Sequence, residues 1–166
     1  MPRGSGAARD NSMSSLREQA EYLRISLLMG LIGVADVVRW ADAAIGNMTE
    51  PPSEIIDLAL AGKLHPEDVA RMLAQVQGDA DLTLAAHRAV GELASRFSGG
   101  SITIDDVAGM LYSYSQFARV DEIERGTASI LEDVLEYYTI EGATHAITEF
   151  LTKYGQVPEA IPLHMD

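Results

Sequence analysis

The sequence contains no cysteine. A chain without thiols forms no disulfide, offers no thiolate to a metal ion and has no cysteine nucleophile. Disulfide-stapled scaffolds and thiol enzymes are therefore excluded. The absence also fits a reducing compartment, where disulfides are rare, and we expect a cytoplasmic location.

The sequence also lacks an apolar run long enough to cross a bilayer. The longest run extends from Ile25 to Ala35 and is interrupted by Ser26, whereas a membrane-spanning helix needs about 20 apolar residues. The run does not resemble a secretory signal, because it starts too late in the sequence and is not followed by a small-residue cleavage site. We interpret it as two buried helix ends that meet at a turn, and we expect no membrane partner.

Basic side chains are scarce, with 12 Lys and Arg against 25 Asp and Glu, which gives a net charge of −13. The excess is largest in residues 121–166, which carry ten acidic and two basic side chains, a net of 2 − 10 = −8. Such a surface repels nucleic-acid phosphates and attracts a basic protein. We therefore expect a protein partner and no nucleic acid. The alternative is that the charge only maintains solubility.

Motifs of common enzymes are missing as well. The sequence has no His-Glu-x-x-His, no phosphate loop ending in Gly-Lys-Ser/Thr and no Gly-x-Ser-x-Gly. One metal-ligand candidate is the set Glu141, His145 and Glu149, whose spacing places them on one helical face. Di-metal bundles use Glu-x-x-His pairs, which this sequence does not contain. We expect a solvated face and a non-enzymatic chain without metal or cofactor, and a metal-dependent enzyme remains the enzymatic alternative.

Helical periodicity dominates the sequence, and strand-type alternation is nearly absent. Helix-capping residues such as Ser15 and Thr103 precede the periodic segments. The pattern predicts an all-α fold of about seven to eight helices, arranged as a compact bundle or a short helical-repeat stack. We expect a disordered tail at 1–14, a single helical domain at 15–154 and a C-terminal tail at 155–166.

Two side-chain placements follow from this periodicity. Trp40 continues the apolar positions Val37 and Val38, so we expect it in the core rather than in a ligand site. A helix from about Asp121 to Thr139 is expected to bury its apolar residues. These are Ile123, Ile130, Leu131, Val134 and Tyr138.

The pattern Gly-x-Ile/Leu-x-x-x-Asp-Val occurs three times, beginning at Gly30, Gly62 and Gly100. It is typical of a joint between two helices. Gly ends the first helix in a left-handed conformation, the apolar residue packs the turn against the core, and Asp lies in the first turn of the next helix. The copies are compatible with a true helical repeat, but any chain of capped helices can contain such joints.

Acidic residues cluster on the helix predicted from about Asp121 to Thr139. Glu132, Asp133 and Glu136 have i, i+3 and i, i+4 spacing without a neighbouring Lys or Arg, and like charges at such spacing destabilise a helix by about 0.2–0.5 kcal/mol per pair. Tyr137 lies beside them, outside the predicted buried face. These four residues form the acidic ridge, our candidate partner-binding site; the alternative is a merely solvated face. The same helix carries three further acidic residues expected at the surface, namely Asp121, Glu122 and Glu124.

The run LLMGLIGVADVVRWAD from Leu27 to Asp42, followed by PSEIIDLAL, resembles small uncharacterised bacterial helical proteins, some of which are similar to immunity proteins of toxin–antitoxin and contact-inhibition systems. The resemblance covers about residues 22–64 and consists mostly of packing residues, so no functional residue is carried over. It implies an acidic protein that blocks a toxin by binding it.

Our leading hypothesis is a non-enzymatic, immunity-type module that neutralises a basic partner. The alternative is a structural or regulatory helical-repeat subunit of a larger assembly.

The far-ultraviolet circular dichroism spectrum of the purified chain should be that of an almost purely helical protein, because capped helical segments cover most of residues 15–154. A spectrum with a substantial sheet component would contradict the predicted fold class.

Overall fold

The computed structural model describes residues 15–156, and the regular structure in this range consists of eight α-helices. They are α1 (Leu16–Leu28), α2 (Val34–Gly46), α3 (Ser53–Ala59), α4 (Pro66–Leu73), α5 (Leu82–Ser98), α6 (Ile104–Phe117), α7 (Glu122–Tyr137) and α8 (Ile140–Tyr154). The predicted fold class and number of helices are confirmed. None of these helices is long and apolar enough to cross a membrane. The tail predicted at 1–14 and residues 157–166 lie outside the described range.

Local capping interactions explain where several helices begin. The Ser15 hydroxyl accepts a hydrogen bond from the Glu18 amide at 3.1 Å, and the Thr103 hydroxyl accepts one from the Asp106 amide at 3.2 Å. At α4 the cap is His65, whose Nδ1 accepts from the amide two residues later at 3.5 Å. Each cap satisfies an amide that has no partner within its own helix.

Helix α1 lies between two hydrophobic clusters and contributes to both. Leu23 and Leu27 belong to the cluster formed with α2, α3 and α4. Ile25 and Met29 belong to the cluster formed with α5, α6, α7 and α8. A helix that is apolar on two faces is buried between its neighbours, and α1 packs against α4, α5 and α6. Helices α4, α5 and α6 therefore pack around α1, and most of the remaining helix contacts join neighbours in the chain.

Polar side chains of α1 connect it to distant parts of the chain. Glu21 is fully buried, and Arg24 donates to it through Nε and Nη2, each at 2.8 Å. The same Nη2 donates to the Phe117 carbonyl at 2.8 Å, and Arg88 on α5 pairs with Glu18. Removing one partner of a buried ion pair is strongly destabilising, so these contacts hold α1 in one orientation.

The three Gly-x-Ile/Leu joints share the start of their outgoing helix. Helices α2, α4 and α6 each begin four residues after the glycine and carry the pattern's Asp at the third helical position. The following valines, Val37, Val69 and Val107, are all fully buried. The predicted arrangement of Asp in the first turn and Val on the buried face is therefore present at each joint.

The middle joint differs from the other two. Gly30 and Gly100 have left-handed backbones, with φ of 79° and 74°, but Gly62 does not. Gly30 and Gly100 lie one residue after the C-cap of their helix, whereas Gly62 lies two residues after the C-cap Leu60. The left-handed position follows the C-cap directly, so the prediction was wrong for Gly62. Leu64 is also 46% exposed and does not pack the turn against the core.

Trp40 lies in the core, as predicted. It is 5% exposed and belongs to the cluster around α2, α3 and α4. Its indole Nε1 donates to Gln19 Oε1 on α1 at 2.8 Å. A buried indole with a satisfied N–H combines a large apolar contact with one directional bond, and both connect α2 to α1.

Replacing Trp40 with alanine is expected to lower the free energy of unfolding by about 3–5 kcal/mol, because a large core aromatic leaves a cavity. Chemical denaturation measures the change. Trp40→Phe is the matched control, since it keeps an aromatic ring and loses the bond to Gln19, and it should cost less. A Trp40→Ala variant as stable as the parent would contradict the core assignment.

Candidate functional site

The acidic ridge lies on the solvent side of α7. Glu132, Asp133 and Glu136 are exposed, and the Tyr137 side chain is 76% exposed. None of the three carboxylates takes part in an ion pair within residues 15–156. The structure thus brings all four residues of the predicted site together on one helical surface.

The predicted buried face of α7 was wrong. Ile123, Ile130 and Tyr138 are 76%, 55% and 67% exposed. Val134 is half-buried, and Leu131 alone among the five predicted residues is buried. The apolar side of α7 that the sequence suggested as core therefore faces solvent for much of its length.

The actual buried face consists of Glu124, Ala128 and Leu131. Successive residues of an α-helix are about 100° apart around the axis, so this face is displaced by about one residue position from Ile123 and Ile130. Glu124 was expected at the surface but is 1% exposed. The helix is rotated so that a carboxylate and a small alanine enter the core in place of the isoleucines.

Two side chains hold this carboxylate, and together with Glu124 they form what we call the Glu124 clamp. Tyr114 on α6 donates its hydroxyl to Glu124 Oε1 at 2.7 Å. His87 on α5 places Nε2 at 2.9 Å from Oε2 and 3.0 Å from Oε1. An isolated buried carboxylate is costly, and hydrogen bonds to both oxygens offset that cost. The clamp connects α5, α6 and α7.

Helix α8 supplies an aromatic wall behind the clamp. The Phe150 ring meets Tyr114 edge-on at a centroid distance of 6.3 Å and lies 4.7 Å from Tyr154. The Tyr154 ring is in turn 5.7 Å from His87. Edge-on and tilted ring contacts of this kind are favourable, and they restrict the side chains that hold Glu124.

The phenol of Tyr114 remains a donor in this environment. Burial raises its pKa well above the ordinary value, and the hydrogen bond to Glu124 and the charge of that carboxylate raise it further. Burial also raises the pKa of Tyr22, with a smaller contribution from Glu92. Because the Glu124 oxygens are satisfied by Tyr114 and His87, we interpret the clamp as a structural device that sets the rotation of α7.

The rotation leaves an exposed apolar stripe on α7, formed by Ile123, Ile130 and Tyr137. These residues are seven positions apart and lie along one line of the helix. The acidic ridge borders the stripe, and Tyr137 belongs to both. The sequence did not predict the stripe, because isoleucines seven residues apart on a helix normally indicate a buried face.

The metal-ligand candidates lie elsewhere. Glu141, His145 and Glu149 are all exposed along α8, and a shallow depression there also includes Lys153. Within residues 15–156 no group of three or more His, Asp and Glu side chains is arranged to hold a metal ion.

Two surface cavities provide little chemistry. One, of about 440 Å³ between the ends of α5 and α8, has uncharged walls. The other, of about 380 Å³, lies between α1, α4 and the end of α6. Its two arginines are already paired within the fold, Arg24 with Glu21 and Arg71 with Asp68. Helix α7 is therefore the stronger candidate site.

Replacing Tyr114 with phenylalanine is expected to reduce the free energy of unfolding by about 1–3 kcal/mol, because the buried Glu124 loses a hydrogen-bond donor. Denaturant unfolding monitored by circular dichroism measures the loss. Glu122→Gln, an exposed change on the same helix, is the control and should stay within about 0.5 kcal/mol of the parent. Equal stabilities of the two variants would contradict the structural role of the clamp.

The unfolding free energy should also fall with rising pH above about 10, the ordinary pKa of a phenol. The folded state keeps the Tyr114 and Tyr22 protons that the unfolded state has lost, so this stabilisation is full below that pH and is lost as the pH rises. Denaturation at several alkaline pH values should show a shallower decline for Tyr114→Phe than for the parent, and Tyr22 should contribute to the slope that remains. Identical declines would argue against the raised pKa of Tyr114.

Comparison with known proteins adds nothing to these assignments, which rest on the structure of the chain alone. No protein-family model matches the chain, and no curated protein and no solved structure matches it either.

Proposed function

We propose that this chain is a non-enzymatic protein-binding module that occupies a basic surface of a partner and thereby neutralises it, in the manner of an immunity protein. The observation that carries the proposal is the acidic ridge on α7. It presents three exposed carboxylates without ion-pair partners in the described range, next to an exposed tyrosine.

The ridge is electrostatically unfavourable in the isolated protein. Its carboxylates repel one another at helical spacing. They also lie in the last turns of α7, where the partial negative charge of the helix C-terminus makes acidic side chains unfavourable. Basic groups of a partner would relieve both effects. The charge of the surrounding sequence, a net of −8 over residues 121–166, would speed the encounter with such a partner.

Tyr137 adds a contact that charge alone does not supply. Its ring is 76% exposed beside Glu136. Tyrosine is among the residues that contribute most to the affinity of protein interfaces when a partner covers it. An acidic rim around an exposed aromatic ring is therefore a suitable surface for a basic partner.

The resemblance of residues 22–64 supports the mode of action rather than the site. These residues form most of α1, α2 and α3, whose buried side chains belong mainly to the cluster with α4. They provide the framework, whereas α7 provides the surface. Neutralisation of a toxin-like partner is the activity that the resemblance implies.

Reversing the charge of the ridge should abolish partner binding and leave the fold intact. We expect Glu132→Lys, Asp133→Lys and Glu136→Lys together to be as stable as the parent or slightly more stable, because repulsion along α7 is removed. Capture from a lysate of the source organism at low and high salt measures binding. A protein retained by the parent should be lost from this variant, and its retention should fall with salt.

A second triple variant controls for total charge. Asp42→Lys, Glu50→Lys and Asp57→Lys change three exposed residues away from α7 by the same amount. This control should retain the partner and neutralise it on co-expression, as we expect of the parent. Equal loss of binding in both variants would show that net charge, and not the ridge, determines binding. Unchanged binding in the ridge variant would show that the ridge does not contact the partner.

A further inference from the structure

The apolar stripe adjoining the ridge is not covered by any described part of the chain. We propose that it is the docking site for a single amphipathic basic helix of the partner, which lies along α7 with its apolar residues on the stripe and its Lys and Arg side chains over the ridge. This inference rests on the proposed function and specifies the form of the partner.

The geometry of the stripe matches a helix. Ile123 and Tyr137 are fourteen residues apart, which corresponds to about 21 Å along the axis, and Ile130 lies midway. Helices that pack lengthwise on one another carry apolar residues at two positions of each heptad, and the stripe supplies one of them, with Gly126 and Asp133 at the other. The position of Gly126, between the first two, is open, since a Cβ placed there would meet nothing within 4 Å. The partner backbone could approach closely there.

Five of the ten exposed large hydrophobic side chains within residues 15–156 lie between Ile123 and Ile140. The three large side chains of the stripe are 76%, 55% and 76% exposed. Single exposed apolar residues are normal, whereas exposed apolar side chains concentrated on one surface and bordered by polar residues mark an interaction site. Two further exposed apolar side chains follow the end of α7, Tyr138 at 67% and Ile140 at 74% exposure.

Charge on α7 indicates the chemistry of the occupant. At about 100° per residue, Asp133 and Glu122 lie nearest the stripe, Glu136 follows farther round the side away from the core, and Glu132 lies farthest from the stripe. The single basic residue of α7, Arg125, directs its Nη2 towards the Val120 carbonyl at 3.4 Å. A helix with one apolar and one basic face therefore matches α7 in both respects.

A second copy of this chain fits the same surface poorly. If two α7 helices packed antiparallel around Ile130, their Asp133 residues would be only about 9 Å apart along the axis, close to the screening distance of about 8 Å at physiological salt. The Asp133 carboxylates of both copies would lie beside the interface without a basic side chain of α7 on the same side. Each copy carries a net charge of −13, so self-association through the stripe is disfavoured.

Synthetic peptides test the inference directly. The probe is a labelled helix of about three heptads with Leu at the core positions and Lys on the flanks. One control peptide has the same composition in scrambled order, and another keeps the heptads with Glu in place of Lys. Fluorescence anisotropy gives the affinities, and amide chemical shifts of the labelled protein locate the contact. We expect the basic heptad peptide to bind tightest, to weaken with salt and to shift α7 resonances.

Matched variants separate the stripe from the ridge. Ile123→Ser with Ile130→Ser removes the stripe, whereas Ile56→Ser with Leu60→Ser removes two exposed apolar side chains on α3 and its C-cap. The stripe variant should bind the basic heptad peptide at least about ten-fold more weakly than the parent, as expected for central apolar anchors. The control pair should bind like the parent, and circular dichroism should be the same for all three.

Different failures have different meanings. If the scrambled basic peptide binds as well as the heptad and only the ridge variant loses it, the helix-docking inference is overturned and the proposed function stands. If the acidic heptad peptide binds as well as the basic one, the ridge has no role and the proposed function fails with the inference. A dimer detected by sedimentation and dissociated by the stripe variant, or no shift of α7 resonances by the basic heptad, would also overturn the inference.

Discussion

Glu124 needs hydrogen-bond donors once it is removed from water, and Tyr114 and His87 provide them at 2.7 and 2.9 Å. This requirement determines how α7 sits on the fold. Because the carboxylate enters between α5 and α6, Ala128 and Leu131 follow it into the core, and Ile123 and Ile130 turn outward. The exposed stripe, which we connect with binding, depends on this rotation.

The rotation also explains why a stable fold exposes an apolar row. Leucine or isoleucine in place of Glu124 would bury more apolar area, and a buried ionic group is often no more stabilising than a well-packed apolar one. Here the polar anchor selects one rotational setting of α7 among several that its apolar residues would permit. That setting presents large side chains and carboxylates on one surface, which suits a partner with an apolar and basic face.

Much of the fold could be predicted because the signals are local. Ser15 and Thr103 bond to amides three residues away, so the start of a helix follows from neighbouring residues. The valine after the Asp of each joint is the fourth residue of its helix, so helical periodicity predicts its burial. These are Val37, Val69 and Val107. The prediction failed at Gly62, where α3 ends one residue earlier relative to its glycine than α1 and α5 do. The three ridge carboxylates could be located from charge spacing alone, since their spacing along one helix requires no tertiary information.

The sequence by itself determined the helices, their caps, the burial of Trp40 and the place of the acidic ridge, because these depend on periodicity and on residues a few positions apart. The tertiary structure alone decided which side of α7 is buried. The environment of Glu124 is made by Tyr114, ten residues away, and by His87, thirty-seven residues away. A carboxylate is stable at the surface without help but stable in the core only beside donors, and the packing of α5 and α6 brings those donors together.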